Sequence, residues 1–164
     1  MKRFPLLIVV LGASLALSLL SRAQLPKAES VVQVRLEPAQ VKIQPGGTAA
    51  FTLVATVREG FHINSHQPSL DYLIPTRVEL RESPGFVLEK VDYPAGELKA
   101  FSFAPDVKLS VYDGTVKLPL RLRAQSGVPA GTHTLRLAFY FQACNDRLCL
   151  RPAHREVRLS VRVQ

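Results

Sequence analysis

The sequence contains no tryptophan, a single methionine and only two cysteines, and aromatic residues make up 7% of its 164 positions. Without tryptophan, the Cys–Trp–Cys core of antibody domains is excluded. No window of useful length carries the apolar period of an amphipathic helix, which argues against a helical fold. Internal repeats and low-complexity tracts are missing. Beyond the first segment, the apolar runs are too short and too interrupted to cross a membrane as helices. Charge is not balanced: 21 Lys and Arg against 13 Asp and Glu leave a formal +8. These basic residues are spread along alternating positions as solvated faces. They form no basic stripe interleaved with aromatics, the pattern that single-stranded nucleic acid requires.

What is present begins with a secretory signature. Lys2 and Arg3 precede an apolar run from Leu6 to Leu20, and Ser21-Arg22-Ala23 offers small residues for cleavage. The run is short for a membrane anchor, which needs roughly 20 residues. No cysteine lies near the cut, which argues against lipid attachment. The expected organisation is a signal peptide over 1–23, a flexible leader over 24–30 and one domain over 31–164. The mature chain then has 141 residues and a charge of +5, enough to bury a core without staples. Its expected location is periplasmic or secreted, where paired thiols tend to oxidise.

Period two dominates the remainder. Val32, Val34 and Leu36 alternate with polar residues, as do Phe51, Leu53, Ala55 and Val57. Thr76 to Arg81 and Phe86 to Tyr93 repeat the pattern, and Leu135, Leu137, Phe139 and Phe141 line one face of a long strand. Val157, Leu159, Val161 and Val163 do so in the last strand. Pro45-Gly46-Gly47 and Pro129-Ala130-Gly131 mark turns. Asp113-Gly114 between two alternating arms predicts a two-residue hairpin, and Pro94 to Pro105 predicts a long loop. Several short strands with turn signals between them predict an all-β, immunoglobulin-like antiparallel β-sandwich.

Cys144 and Cys149 are five positions apart, with the turn formers Asn145 and Asp146 between them. A tight turn brings such a pair within disulfide range. A bridge closing so short a loop restrains the unfolded chain little, by about 2 kcal/mol in the chain-entropy model. It also joins neighbours that the turn already joins. The same placement suits thiol–disulfide exchange, which needs one reachable sulfur. Arg147, Arg151, His154 and Arg155 lie nearby and favour a thiolate, while Asp146 opposes it. A structural disulfide and a redox-active one both fit these residues. A zinc site using both thiols with His62 and His66 is disfavoured, because zinc sites use tighter cysteine spacing. No metal or cofactor is expected.

The segment Phe139-Tyr140-Phe141-Gln142-Ala143-Cys144, with Cys149 and Leu150-Arg151-Pro152 after it, resembles the N-terminal periplasmic domain of the thiol:disulfide interchange protein DsbD. Glu59-Gly60-Phe61-His62-Ile63-Asn64-Ser65, Ile74-Pro75-Thr76 and Val111-Tyr112-Asp113-Gly114 fit the same family, over roughly residues 31–163. The resemblance implies an immunoglobulin-like sandwich whose disulfide cycles as a protein-disulfide reductase type of electron carrier. It implies a thioredoxin-like or membrane reductase donor, and periplasmic disulfide-containing clients such as those of cytochrome c biogenesis. It further implies that Cys149 forms the mixed disulfide with partners and Cys144 resolves it. An aromatic cap over the sulfurs would be Phe101 or Phe103, the alternative being plain core packing. His62 and Asn64 would line the pocket, the alternative being an ordinary half-exposed strand pair. The family's membrane and thioredoxin-like domains have no counterpart in these residues, so a stand-alone carrier with a separate donor is expected. The competing function is a non-catalytic immunoglobulin-like binding or scaffold module with a fixed disulfide.

Overall fold

In the computed structural model, residues 26–164 are described, and the signal peptide expected at 1–23 lies outside them. A 3-10 turn at Ala28–Ser30 leads into β1 (Val32–Glu37), β2 (Gln40–Ile43), β3 (Thr48–Val57) and β4 (His62–Asn64). Next come β5 (Arg77–Arg81), β6 (Phe86–Val91), β7 (Glu97–Phe101) and β8 (Ala104–Tyr112). β9 (Thr115–Ala124), β10 (Gly131–Phe141), β11 (Ala143–Cys144) and β12 (Ala153–Val163) complete the chain. Two four-stranded sheets, β1-β3-β9-β6 and β2-β12-β10-β5, enclose the core, and a third sheet, β11-β4-β8-β7, extends it at one end. Every pairing is antiparallel except β2 with β12. The all-β, immunoglobulin-like reading therefore holds.

The alternation in sequence becomes two packed faces. β9 buries Val116, Leu118, Leu120, Leu122 and Ala124 and exposes the residues between them. Facing it, β10 buries Leu135, Leu137, Phe139 and Phe141 in the same cluster. Exclusion of this apolar surface from water drives the two sheets together. Leu137 is fully buried, and Leu137→Ala will cost about 2–5 kcal/mol, the range for leaving a cavity in a packed core. Urea unfolding measures this loss. The position is remote from the cysteines, so exchange chemistry in the folded fraction will not change.

Three local expectations are corrected. Asp113-Gly114 is not a hairpin: β8 pairs with β4 and β7, whereas β9 pairs with β3 and β6. Gly114 has φ +55° and its carbonyl accepts a hydrogen bond from Val57 N–H at 2.7 Å. The dipeptide specified a sharp turn, but the arms diverge into separate sheets because each apolar face finds its cover elsewhere. Pro94 to Pro105 is not a loop either, since it holds β7, the tip Ser102-Phe103 and the start of β8. A register shift between Lys99 and Phe101 puts the alternation out of phase, which hides the strand from a period-two reading. Gly96 opens this hairpin where no side chain fits: a Cβ there would overlap Ser110 Oγ and come within 2.7 Å of Ser65 Cβ. Lastly, the segment read as a leader ends in ordered backbone, with Ala28 buried in the main core.

Candidate functional site

The cysteine segment changes sheets. β10 ends at Phe141, Gln142 breaks the ladder, and Ala143-Cys144 joins β4 in the third sheet. The chain then reverses. Asn145 Oδ1 accepts hydrogen bonds from the amides of Arg147 and Leu148 at 2.9 and 3.0 Å, an Asx turn. Asn145 N–H donates to Leu148 O and Leu150 N–H to Ala143 O. Those bonds flank Cys144 and Cys149 as a non-hydrogen-bonded antiparallel pair, the arrangement in which facing side chains come closest. Their Cα atoms lie 3.9 Å apart and the sulfurs are bonded. The two ends differ: Cys144 is 1% exposed, whereas Cys149 is at the surface. Arg147, Arg151, His154 and Arg155 are all exposed around this turn.

A row of polar groups continues from the disulfide across the third sheet. Cys144 pairs directly with His62. β4 and β8 pair Ile63 with Tyr112, and the same register carried one residue further sets His62 opposite Asp113. Asp113 in turn holds Lys99 of β7 in a short ion pair. Ile63, Tyr112 and Ala143 point into the main core, so this row lies on the outer face, because neighbouring side chains alternate across a sheet. The outer face is itself partly covered. Phe101, Leu109 and Val111 form a second small cluster with Leu70 and Leu73.

Phe101 stacks on the His62 ring at 4.1 Å between centroids, and Phe103 stacks on Phe101 at 5.4 Å. Phe101 is 9% exposed and Phe103 40%. Ser102 Oγ, at the hairpin tip, donates to the Asp146 carbonyl at 3.0 Å and ties the tip to the cysteine turn. A cleft of about 300 Å³ remains between them, bordered by Phe61, His62, Phe101, Asp113 and Asp146. A second, larger groove runs past Cys149 between Leu150-Arg151 and Lys27-Ala28.

His62 and Asn64, for which a half-exposed strand pair was the alternative, are buried at 5% and 1% exposure. The Asn64 amide donates to Ile74 O at 3.0 Å and its other contact is Gln142 Oε1 at 3.4 Å, so it anchors the 65–76 loop beside the sheet crossover. His66 is engaged elsewhere, with Nδ1 2.9 Å from Thr76 O and its ring stacked on Tyr93. Among the described residues, no group of three or more His, Cys, Asp or Glu is arranged to hold a metal. Asp113, Lys99, Ser102 and Gln142 were not picked out as site residues from the sequence. Only Asp113 carried a signal, and that signal was read as a turn.

Burial pushes the His62 imidazole down to about 4, against the pull of Asp146 and Asp113 and with the help of Lys99. The unfolded chain binds this proton near pH 6.5, and the folded oxidised chain refuses it until about pH 4. Stability therefore falls by on the order of 2–3 kcal/mol as pH drops through that window. Urea midpoints at pH 7 and 4.5 will show the loss in the native protein, and His62→Phe will remove this part of it.

The site is thus an immunoglobulin-like sandwich carrying one short-loop disulfide, buried at Cys144 and open at Cys149, a placement compatible with thiol–disulfide exchange. The family model described as Thiol:disulfide interchange protein DsbD, N-terminal, matches residues 28–161, and the chain belongs to that family. Among solved structures, the N-terminal periplasmic domain of ScsB from Proteus mirabilis aligns with a TM-score of 0.56 at 14% identity, over 82% of this chain and 49% of that one. The chain thus spans about half the length of that structure. The periplasmic chaperone SfaE aligns with a TM-score of 0.40 at 14% identity, over 80% of this chain and 58% of that one. No curated protein sequence matches significantly. Among the described residues, no helix is long and apolar enough to cross a membrane.

Proposed function

We propose that this domain is an exported electron carrier. A thioredoxin-like or membrane reductase partner reduces Cys144–Cys149, and the resulting dithiol reduces disulfides in periplasmic clients. The observation that carries this reading is the asymmetry of the bridge, with Cys149 at the surface and Cys144 buried. A donor thiolate attacks Cys149 Sγ. The donor–Cys149 bond forms, the Cys149–Cys144 bond breaks, and Cys144 leaves with the electron pair as a thiolate. The donor's second thiol, giving its proton to water, then attacks the donor's own sulfur and frees Cys149, so two electrons have passed. Toward a client the order reverses: Cys149 attacks the client disulfide, and Cys144 attacks Cys149 to release the reduced client. Phe101, stacked over His62 beside the bridge, is the cap that partners displace, and Phe103 rides on it. His62 forms the pocket floor, and Asn64, two residues along the same strand, holds the neighbouring loop in place behind it.

The test is the reduction potential, obtained by equilibrating the folded protein with thiol buffers and trapping free thiols. A value among the exchange proteins, roughly −120 to −270 mV, supports a bridge that cycles. A value well below about −300 mV, with unfolding on reduction, would leave a structural staple in a binding module.

A further inference from the structure

Buried polar side-chain atoms are almost always hydrogen-bonded. His62 Nε2 is the exception among the described residues: it is buried and has no partner. An imidazole wanted only for packing under Phe101 gains nothing over phenylalanine and carries the cost of that unmet group. Its position suggests why it is kept. His62 is the direct cross-strand neighbour of Cys144, and side chains so paired lie on one face about 5 Å apart at Cβ. In the oxidised protein, the Cys144 sulfur is bonded to Cys149 and has no proton to offer. In the reduced protein, the same sulfur becomes a thiol or thiolate in a site that is 1% exposed, where an unpartnered negative charge is strongly disfavoured.

We propose that His62 is the acid–base partner of Cys144, idle in the disulfide form and engaged only once the bridge opens. The proposal rests on the exchange reading and names a role within it. When the donor thiolate takes Cys149, Cys144 departs with the electron pair. As that charge forms, His62 draws a proton from water through the adjoining cleft and faces the sulfur as imidazolium or passes the proton to it. The donor's second thiol returns one proton to water as it closes its own disulfide, so protons balance. In the client step the proton moves back: His62 takes it from the Cys144 thiol, and the thiolate resolves the mixed disulfide. The groups that face His62 suit a switch of this kind. Asp113 at the end of β8 and Asp146 in the cysteine turn favour its cationic form, Lys99 of β7 opposes it, and burial keeps it neutral until the thiolate appears. Phe101 seals the outer side. His62 is thus a residue that couples redox state to protonation.

Two measurements test this. The His62 ring resonances are titrated by NMR in the oxidised protein and in protein reduced with a phosphine, which requires no biological partner. The expected result is a His62 pKa raised by more than one unit on reduction. The rate at which dithiothreitol reduces the disulfide is then compared between native protein, His62→Gln and His62→Phe from pH 5 to 8. General acid–base assistance is typically worth a hundredfold or more, and the native protein should lead both variants by at least about tenfold at the acid end, with a shrinking lead at higher pH. An unchanged His62 titration on reduction overturns the proposal. So does a variant defect that is the same at every pH, or rescue by glutamine, because either would mark His62 as packing. Failure of the exchange reading looks different: a potential below that of exchange proteins, whatever His62 does.

Discussion

Cys144→Ser will yield a protein that captures a disulfide substrate covalently and does not release it, whereas Cys149→Ser will scarcely react. The difference follows from where the two sulfurs sit. Cys149 lies at the surface at the edge of an open groove, so a lone Cys149 thiolate meets an incoming disulfide in line. With serine at 144 nothing resolves the adduct, and its lifetime moves to the minutes-to-hours range of uncatalysed disulfide rearrangement. A lone Cys144, at 1% exposure between β4 and the turn, reacts only after local opening. If that opening costs about 3 kcal/mol, the rate falls by roughly a hundredfold. An aromatic disulfide reagent with a chromogenic leaving group reads both outcomes. The native dithiol releases two equivalents and keeps no adduct, Cys144→Ser releases one and keeps the adduct by mass, and Cys149→Ser lags. If Cys144 proves the faster thiol, the assigned roles are reversed.

Phe101→Ala will speed reduction of the bridge by small thiols, and air oxidation of the dithiol, by on the order of tenfold, since exchange is limited by access to sulfur. Phe101 is the last residue of β7 and stacks on His62, the cross-strand neighbour of Cys144. It also packs with Leu109 and Val111. Its truncation will therefore destabilise the domain as well, by up to about 3 kcal/mol, the low end for a buried Phe→Ala. The two effects are separable. Exchange rates measured far below the unfolding transition report the cap, and urea titration reports the packing. Phe103, 40% exposed and stacked only on Phe101, will show under about 1 kcal/mol on truncation, as surface positions do. A destabilised Phe101→Ala with unaltered exchange would make Phe101 ordinary core.

Most of the scaffold was legible because burial on a strand leaves a period-two trace. β9 and β10 read directly from Val116–Leu122 and Leu135–Phe141. β7 did not, because the shift between Lys99 and Phe101 breaks the period. The cysteines and the turn between them were visible as well, Asn145 supplying the side-chain oxygen that closes it. The likeness of the 139–152 segment to a known family singled out Phe101, Phe103, His62 and Asn64, and the fold brings Phe101, Phe103 and His62 together while Asn64 anchors the neighbouring loop.

By itself the sequence determined that the chain is all-β, which faces of its strands are apolar, and that Cys144 and Cys149 can meet. Those are local properties, set by side-chain alternation and turn chemistry within a few residues. Tertiary structure alone decided that Gln142 carries the cysteines into the third sheet, that Cys144 is buried beside His62 while Cys149 stays outside, and that Asp113 turns toward His62 instead of closing a hairpin. Strand alternation states which way a side chain points but not which strand comes to lie beside it. That choice is made by the long-range competition of apolar faces for cover, and the chemistry of the site depends on it.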